Sequence, residues 1–168
     1  MKTIRIENIE AIPVVGGELQ WRPVRRTLGI EAFGINAYTA DAGELVVEEH
    51  DETGAGAGHH EELYMVITGR ATFTVDGESF DAPVGTLVFL DDPKERRGAR
   101  AEENGTTVLA IGGMRGQAFR VSPWEFAFAG VPRTTPAATT RRRHCCSRGS
   151  SCIRAIRACC STSPATKP

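Results

Sequence analysis

The feature that most restricts the fold of this chain is a series of short β-prone runs, each closed by turn residues. TLGIEAFGINAYTA, GELVVEEH, EELYMVITG, RATFTVDG, GTLVFL and TTVLAIGG are rich in Val, Ile, Phe, Tyr and Thr, and Gly, Asp or Pro bound them. Asp76-Gly77 stands between TFTV and ESFDAP. That dipeptide accepts two positive φ angles in succession and so marks a tight hairpin. No helical apolar period lies between the runs. Strands this short and regularly spaced predict an all-β sandwich or barrel.

Charge divides the chain into two compositions. Residues 1–130 hold all 21 acidic residues and 12 of the 20 basic ones, a net charge of −9. Residues 131–168 hold 8 basic residues and no acid, and all five cysteines lie in this stretch. A β-barrel domain is therefore expected over 1–121, a helix start over 122–130, and a basic Cys/Arg-rich tail over 131–168. SPWEFAFA carries the helix signals: Ser122 to cap, Pro123 at the first helical position, and Glu125 three residues after the cap.

The stretch HHEELYMVITGRATFTVDGESFDAPVGTLVFL resembles the heart of the cupin superfamily, and the resemblance covers about residues 28–112. The family's first motif runs Gly-x5-His-x-His-x3,4-Glu-x6-Gly, and Glu62 followed six residues later by Gly69 fits its second half. The second motif runs Gly-x5-Pro-x-Gly-x2-His-x3-Asn, and Gly85 stands at its expected distance after Gly69. The fold this implies is the cupin double-stranded β-helix, a jelly-roll barrel. The resemblance also implies a metal held by two His and one Glu of the first motif and one His of the second. Such a set suits iron, manganese, zinc or nickel.

The chain departs from that ligand pattern. GAGAG stands at the two first-motif His positions counted back from Glu62. Histidines occur nearby, at His50, His59 and His60. With His50 at the end of its strand and DETGAGAG as an enlarged loop, His50, His60 and Glu62 are a candidate three-ligand site. His60 and Glu62 are two apart, so on a strand they share a face; they are read either as ligands or as a pocket hydrogen-bond pair. Counting from Gly85, Arg96 falls on the second-motif His position. Arginine has no lone pair to give a metal, but it binds a carboxylate or phosphate through two parallel hydrogen bonds. Arg96, His60 and Tyr64 are thus the candidate ligand-binding residues. His59 reads as a solvated loop residue. Trp21, Arg22, Arg25 and Arg26 read as an amphipathic edge strand with its arginines outward.

Several classes are excluded. GAGAG lacks the Gly-Lys-Ser/Thr of a phosphate loop. No nucleophile-elbow motif is present, and residues 1–130 contain no cysteine for thiol chemistry. A charge of −9 disfavours nucleic acid as a partner of the barrel. No run of about 18 apolar residues predicts a membrane span, and no apolar signal core follows Met1, so a cytoplasmic location is expected.

The tail follows a helix start with a segment that has no periodicity. Read one base back, its codons convert all five cysteines to Leu, Met or Val. With GC-rich codons, IRAIRACCSTSPATKP becomes HPGHPGLLFNLACHEA, and the stretch resembles a tetratricopeptide-like helix pair. The tail is thus read either as a disordered basic segment or as a frameshift product. A protein partner is expected only where the helical repeat region is intact.

Two functions are expected of the barrel. One is a module that binds a small molecule, anionic if Arg96 faces it, over a degenerate metal site. The other is a metal-dependent enzyme of dioxygenase or isomerase type using His50, His60 and Glu62. A homodimer is compatible with either.

Overall fold

A computed structural model describes residues 1–129, so the tail readings for 131–168 lie outside the described residues. The strands are β1 (Ile12–Val14), β2 (Leu19–Arg22), β3 (Gly34–Ala40), β4 (Leu45–His50), β5 (Glu61–Thr68), β6 (Arg70–Val75), β7 (Glu78–Pro83), β8 (Leu87–Leu90), β9 (Arg97–Ala101) and β10 (Thr106–Gly113). Helix α1 (Val24–Leu28) follows β2, and helix α2 (Pro123–Ala129) follows β10. The β-rich runs of the sequence become β3, β4, β5, β6, β8 and β10. The first of them is shortened: its opening residues belong to α1 and to a turn at Gly29, whose φ of 71° ends the helix.

All pairings are antiparallel. One sheet runs β1-β2-β3-β10-β5-β8 and the other β4-β9-β6-β7. This is the all-β jelly-roll arrangement expected of the sequence. Between the sheets lies a core built from Val46, Val66, Phe73, Val108 and Ala99, with Tyr64 and Leu90 beside them. Alternation fixes which residues enter it: on β6, Ala71 and Phe73 are buried while Arg70 and Thr72 turn outward or aside. Small residues at Ala71, Ala82, Ala99 and Ala101 leave room for Phe73 and Tyr64. At the β6–β7 hairpin, Asp76 and Gly77 have φ of 47° and 87°, the paired positive angles their sequence calls for.

The arginine cluster differs from the edge-strand expectation. The sheet edge is β1, and β2 lies between β1 and β3. Trp21 is fully buried. Arg25 and Arg26 belong to α1, and Arg25 turns inward to make a bidentate pair with Glu125 of α2 at 3.1 and 2.5 Å. Glu125 is therefore spent on Arg25 rather than turned back as a capping-box side chain. The helix that carries it places Trp124 and Phe128 over Trp21. No helix among the described residues is long and apolar enough to cross a membrane.

Candidate functional site

The end of β4, the loop after it and the start of β5 bring together three side chains that could hold a metal ion. His50 closes β4, Glu52 lies two residues on, and Glu62 is the second residue of β5. One ligand atom from each lies within 4.8 Å of the other two. His50 Nε2 is 3.7 Å from a carboxylate oxygen of Glu52 and 3.7 Å from one of Glu62. Its Nδ1 is 2.7 Å from the Glu48 carbonyl oxygen, to which it donates. That bond fixes Nδ1 as a donor and leaves Nε2, facing the two carboxylates, as the nitrogen that takes up a proton or a metal.

Glu52 was not among the sequence candidates. It is 3% exposed, and the loop wraps around it. Its Oε2 accepts from the Gly58 amide at 2.8 Å, its own amide donates to the Pro93 carbonyl, and its carbonyl accepts from the His59 amide. A signal for it exists in the sequence. His50-x-Glu52 has the spacing of the family's His-x-His pair, with Glu in the second place and a longer loop before Glu62.

His60 was expected beside Glu62, and the structure corrects that placement. The loop's last residue does not join β5, which begins at Glu61. The His60 ring packs instead against Phe119 at 5.6 Å. It lies so close to Gly58 that a Cβ there would meet the ring and the Ser122 hydroxyl at about 2.5 Å. His60 is a buried packing residue of the loop, and the glycine of GAGAG that adjoins it is needed for close approach. His59 is exposed at φ 53°.

Arg96 is also corrected. It is exposed, with its guanidinium bonded to Glu49 at 2.6 Å and its amide to Asp76. The inward arginine is its neighbour, Arg97, which opposes His50 in the β4–β9 ladder and is 0% exposed. A one-residue offset in the turn before β9 moves the whole side-chain set to the other face. Arg97 Nε is 3.4 Å from Glu62, Nη1 donates to the Glu95 carbonyl, and Nε and Nη2 have no hydrogen-bond partner. Arginine thus stands inside the barrel beside Glu62, where it can neutralise a carboxylate but not ligate a metal.

Tyr64 is buried and donates its hydroxyl to Glu62 Oε2 at 2.5 Å. Burial, then the Glu62 charge, push its phenol well above the ordinary tyrosine range. The Glu62 carboxyl is held below the usual carboxylate range: burial works against the ion, but His50 and the Tyr64 hydroxyl outweigh it. The His50 imidazole is raised in spite of burial, because the facing Glu62 and the Glu48 carbonyl favour its charged form.

These directions give a pH prediction. A raised His50 contributes stability below its ordinary value of 6.5 and loses it as pH rises through the folded-state value. A lowered Glu62 contributes above its ordinary value of 4.5 and loses it as pH falls through the folded-state value. In chelator, the network should stabilise the fold most between those two values. His50→Gln should flatten the alkaline side of the urea midpoint against pH. An unchanged alkaline decline in that variant would remove His50 as its source.

The cluster opens into a cavity of about 280 Å³. Trp21, Tyr38, Tyr64, Trp124 and Phe128 supply its rings, and Glu48, Asp51, Glu52 and Glu62 its charges. Among the described residues lining it there is no Lys or Arg. An anionic ligand of the kind that an inward Arg96 would have favoured therefore meets no Lys or Arg in this cavity.

One imidazole nitrogen and two carboxylates fit a divalent cation in donor type, and the Nδ1 bond to Glu48 is the outer support such a ligand needs. No model of a protein family matches the sequence, and no curated protein matches it in sequence. The structure is similar to that of KdgF from Halomonas sp., at TM-score 0.54 and 16% identity over 71% of this chain and 96% of that one. It is similar to a sugar phosphate isomerase from a cupin superfamily of Silicibacter pomeroyi, at TM-score 0.53 and 15% identity over 66% and 74%. It is also similar to a cupin protein of Bacteroides fragilis, at TM-score 0.51 and 16% identity over 79% and 96%. Identities this low speak for the fold alone: the chain has the β-barrel fold of these solved structures.

Proposed function

We propose that the barrel binds a small molecule in the cavity above a divalent cation held by His50, Glu52 and Glu62. The observation that carries this reading is the convergence of His50 Nε2 with the buried Glu52 carboxylate and the partly buried Glu62 carboxylate while Nδ1 is tied to the Glu48 carbonyl. A proton and a metal compete for that same lone pair, so metal uptake displaces the proton that the raised His50 otherwise keeps. With three protein ligands, iron, manganese, zinc or nickel would keep open positions and act as a Lewis acid toward a ligand oxygen. The chain's own residues do the rest. Tyr64 orients Glu62, the loop amides orient Glu52, and the aromatic wall excludes water.

A second reading has its own support in Arg97. With Arg97 and a protonated His50 balancing Glu52 and Glu62, the cluster is neutral without a metal, and the barrel is a binding module over a degenerate site. Metal analysis separates the two. The full chain, purified without a histidine tag, is expected to hold near-stoichiometric metal or to take it up on titration, and Glu52→Gln to lose affinity by at least about 100-fold, the upper end for outer-shell changes. A chain that stays empty when all four metals are offered leaves the second reading standing.

A further inference from the structure

The cavity has two properties that a metal ion alone does not use. Its volume of about 280 Å³ is roughly nine times a water's share of the liquid and lies near the lower end of small-molecule sites. Its wall also contains a corner of three mutually packed rings. Trp21 and Trp124 meet edge to face at 5.3 Å and 70°. Phe128 lies 5.9 Å from Trp124 and 6.5 Å from Trp21. Two of the rings come from α2, which the buried Arg25–Glu125 pair anchors and whose Trp124 amide donates to the Gly56 carbonyl. Trp21 Nε1 is buried in this wall with no hydrogen-bond partner, an unusual state for an indole that ordinarily finds one.

The charge around the rings is predominantly negative. Glu48, Asp51, Glu52 and Glu62 line the cavity with His50. The cations that might have reversed it are engaged elsewhere: Arg25 on Glu125, Arg96 on Glu49, and Arg97 behind Glu62 with no exposed surface. A divalent metal on the cluster would offset only part of the charge of four carboxylates. Electron-rich ring faces beside carboxylates attract an organic cation and repel an anion.

We infer that the ligand of this cavity is a small organic ammonium ion, seated against Trp124 and Phe128, with Trp21 packed behind them, and neutralised by the lining carboxylates. This deepens the small-molecule reading above by naming the ligand class; it rests on the same cavity and not on the metal. The chain's two tryptophans both stand in this wall, so intrinsic fluorescence reports the site without a label.

The test is a fluorescence titration of the full chain with choline, run in chelator and again with manganese. Two molecules of the same shape are the comparators: neohexyl alcohol, in which carbon replaces the charged nitrogen, and the tert-butylacetate anion. Choline is expected to give a saturable change, and both comparators to bind at least about tenfold more weakly. Trp124→Leu should weaken choline about tenfold, with Trp21 as the remaining reporter. Should Trp124→Leu loosen α2, Trp124→Phe keeps a ring there: it should weaken choline about threefold and leave the alcohol unchanged. Glu48→Gln should weaken choline a few-fold and the alcohol not at all. Equal binding of the uncharged isostere overturns the inference, as does no saturable response to choline. Choline binding by a chain that never takes metal defeats the metal reading alone, and metal uptake without choline binding defeats this one alone.

Discussion

Glu62→Gln is expected to destabilise the fold by about 3 kcal/mol, the low end for breaking a buried ion pair. Arg97 is fully buried, with two guanidinium nitrogens lacking a hydrogen-bond partner, and the Glu62 carboxylate 3.4 Å away is its opposing charge. Gln keeps the volume and can still accept from Tyr64, so the loss isolates the charge. The Glu62 side chain is 13% exposed and Glu52 lies nearby, which keeps the effect from the upper end of the range. The decisive comparison is the double variant Glu62→Gln/Arg97→Met. Removing both charges together leaves no uncompensated ion in the barrel, so the double variant should recover most of the loss in urea midpoint. A single variant within 1 kcal/mol of the parent, or a double variant no better than the single, would show that Arg97 does not depend on Glu62.

Gly69→Ala is expected to cost about as much by a different route. Gly69 has φ 72°, where an L side chain is strained by about 1 kcal/mol. Its new Cβ would also meet Thr106 Oγ1 at 2.5 Å and Thr106 Cα at 3.0 Å. Thr106 cannot step aside. It is fully buried, and its hydroxyl donates to the carbonyls of Arg70 and Glu103 at 3.0 and 2.7 Å. Overpacking of this kind adds about 1–3 kcal/mol, for a total of about 3 kcal/mol. Gly77→Ala is the control. Its φ is 87°, but nothing lies within 4 Å of the added carbon, so only the strain of about 1 kcal/mol is expected. Equal melting shifts for the two variants would contradict the steric part of this account.

The two glycines show why some of this protein is legible from its residues. Gly69 and Gly77 end strands at positions where the backbone must take a positive φ, a local requirement that residue type states directly. The same holds for the β-branched runs that become β4, β5, β6, β8 and β10, and for Asp76-Gly77. The motif spacing from Glu62 to Gly69 belongs to this class as well, since it spans one strand whose rise and alternation are regular.

The site is legible only in part. His50 and Glu62 are where strand ends and alternation put them, two residues the sequence singled out. Glu52, His60 and the choice between Arg96 and Arg97 depend on two irregular turns. Side chains alternate along a strand, so one residue of offset in the turn before β9 exchanges an exposed arginine for a buried one. Likewise, the end of the glycine-rich loop stops short of β5, so the His60 ring leaves Glu62's neighbours for Phe119. Nor can strand patterning show that α2 returns to the barrel. That contact joins Arg25 to Glu125 and Trp21 to Trp124 across about 100 residues. By itself the sequence determined the short β-strands and their tight turns, because those follow from local backbone preference and period-two alternation, and its motif resemblance singled out His50 and Glu62, two of the three residues of the candidate cluster. Tertiary structure alone decided the third residue of the cluster, the inward arginine and the aromatic wall, because these are set by how loops of irregular length seat on the barrel.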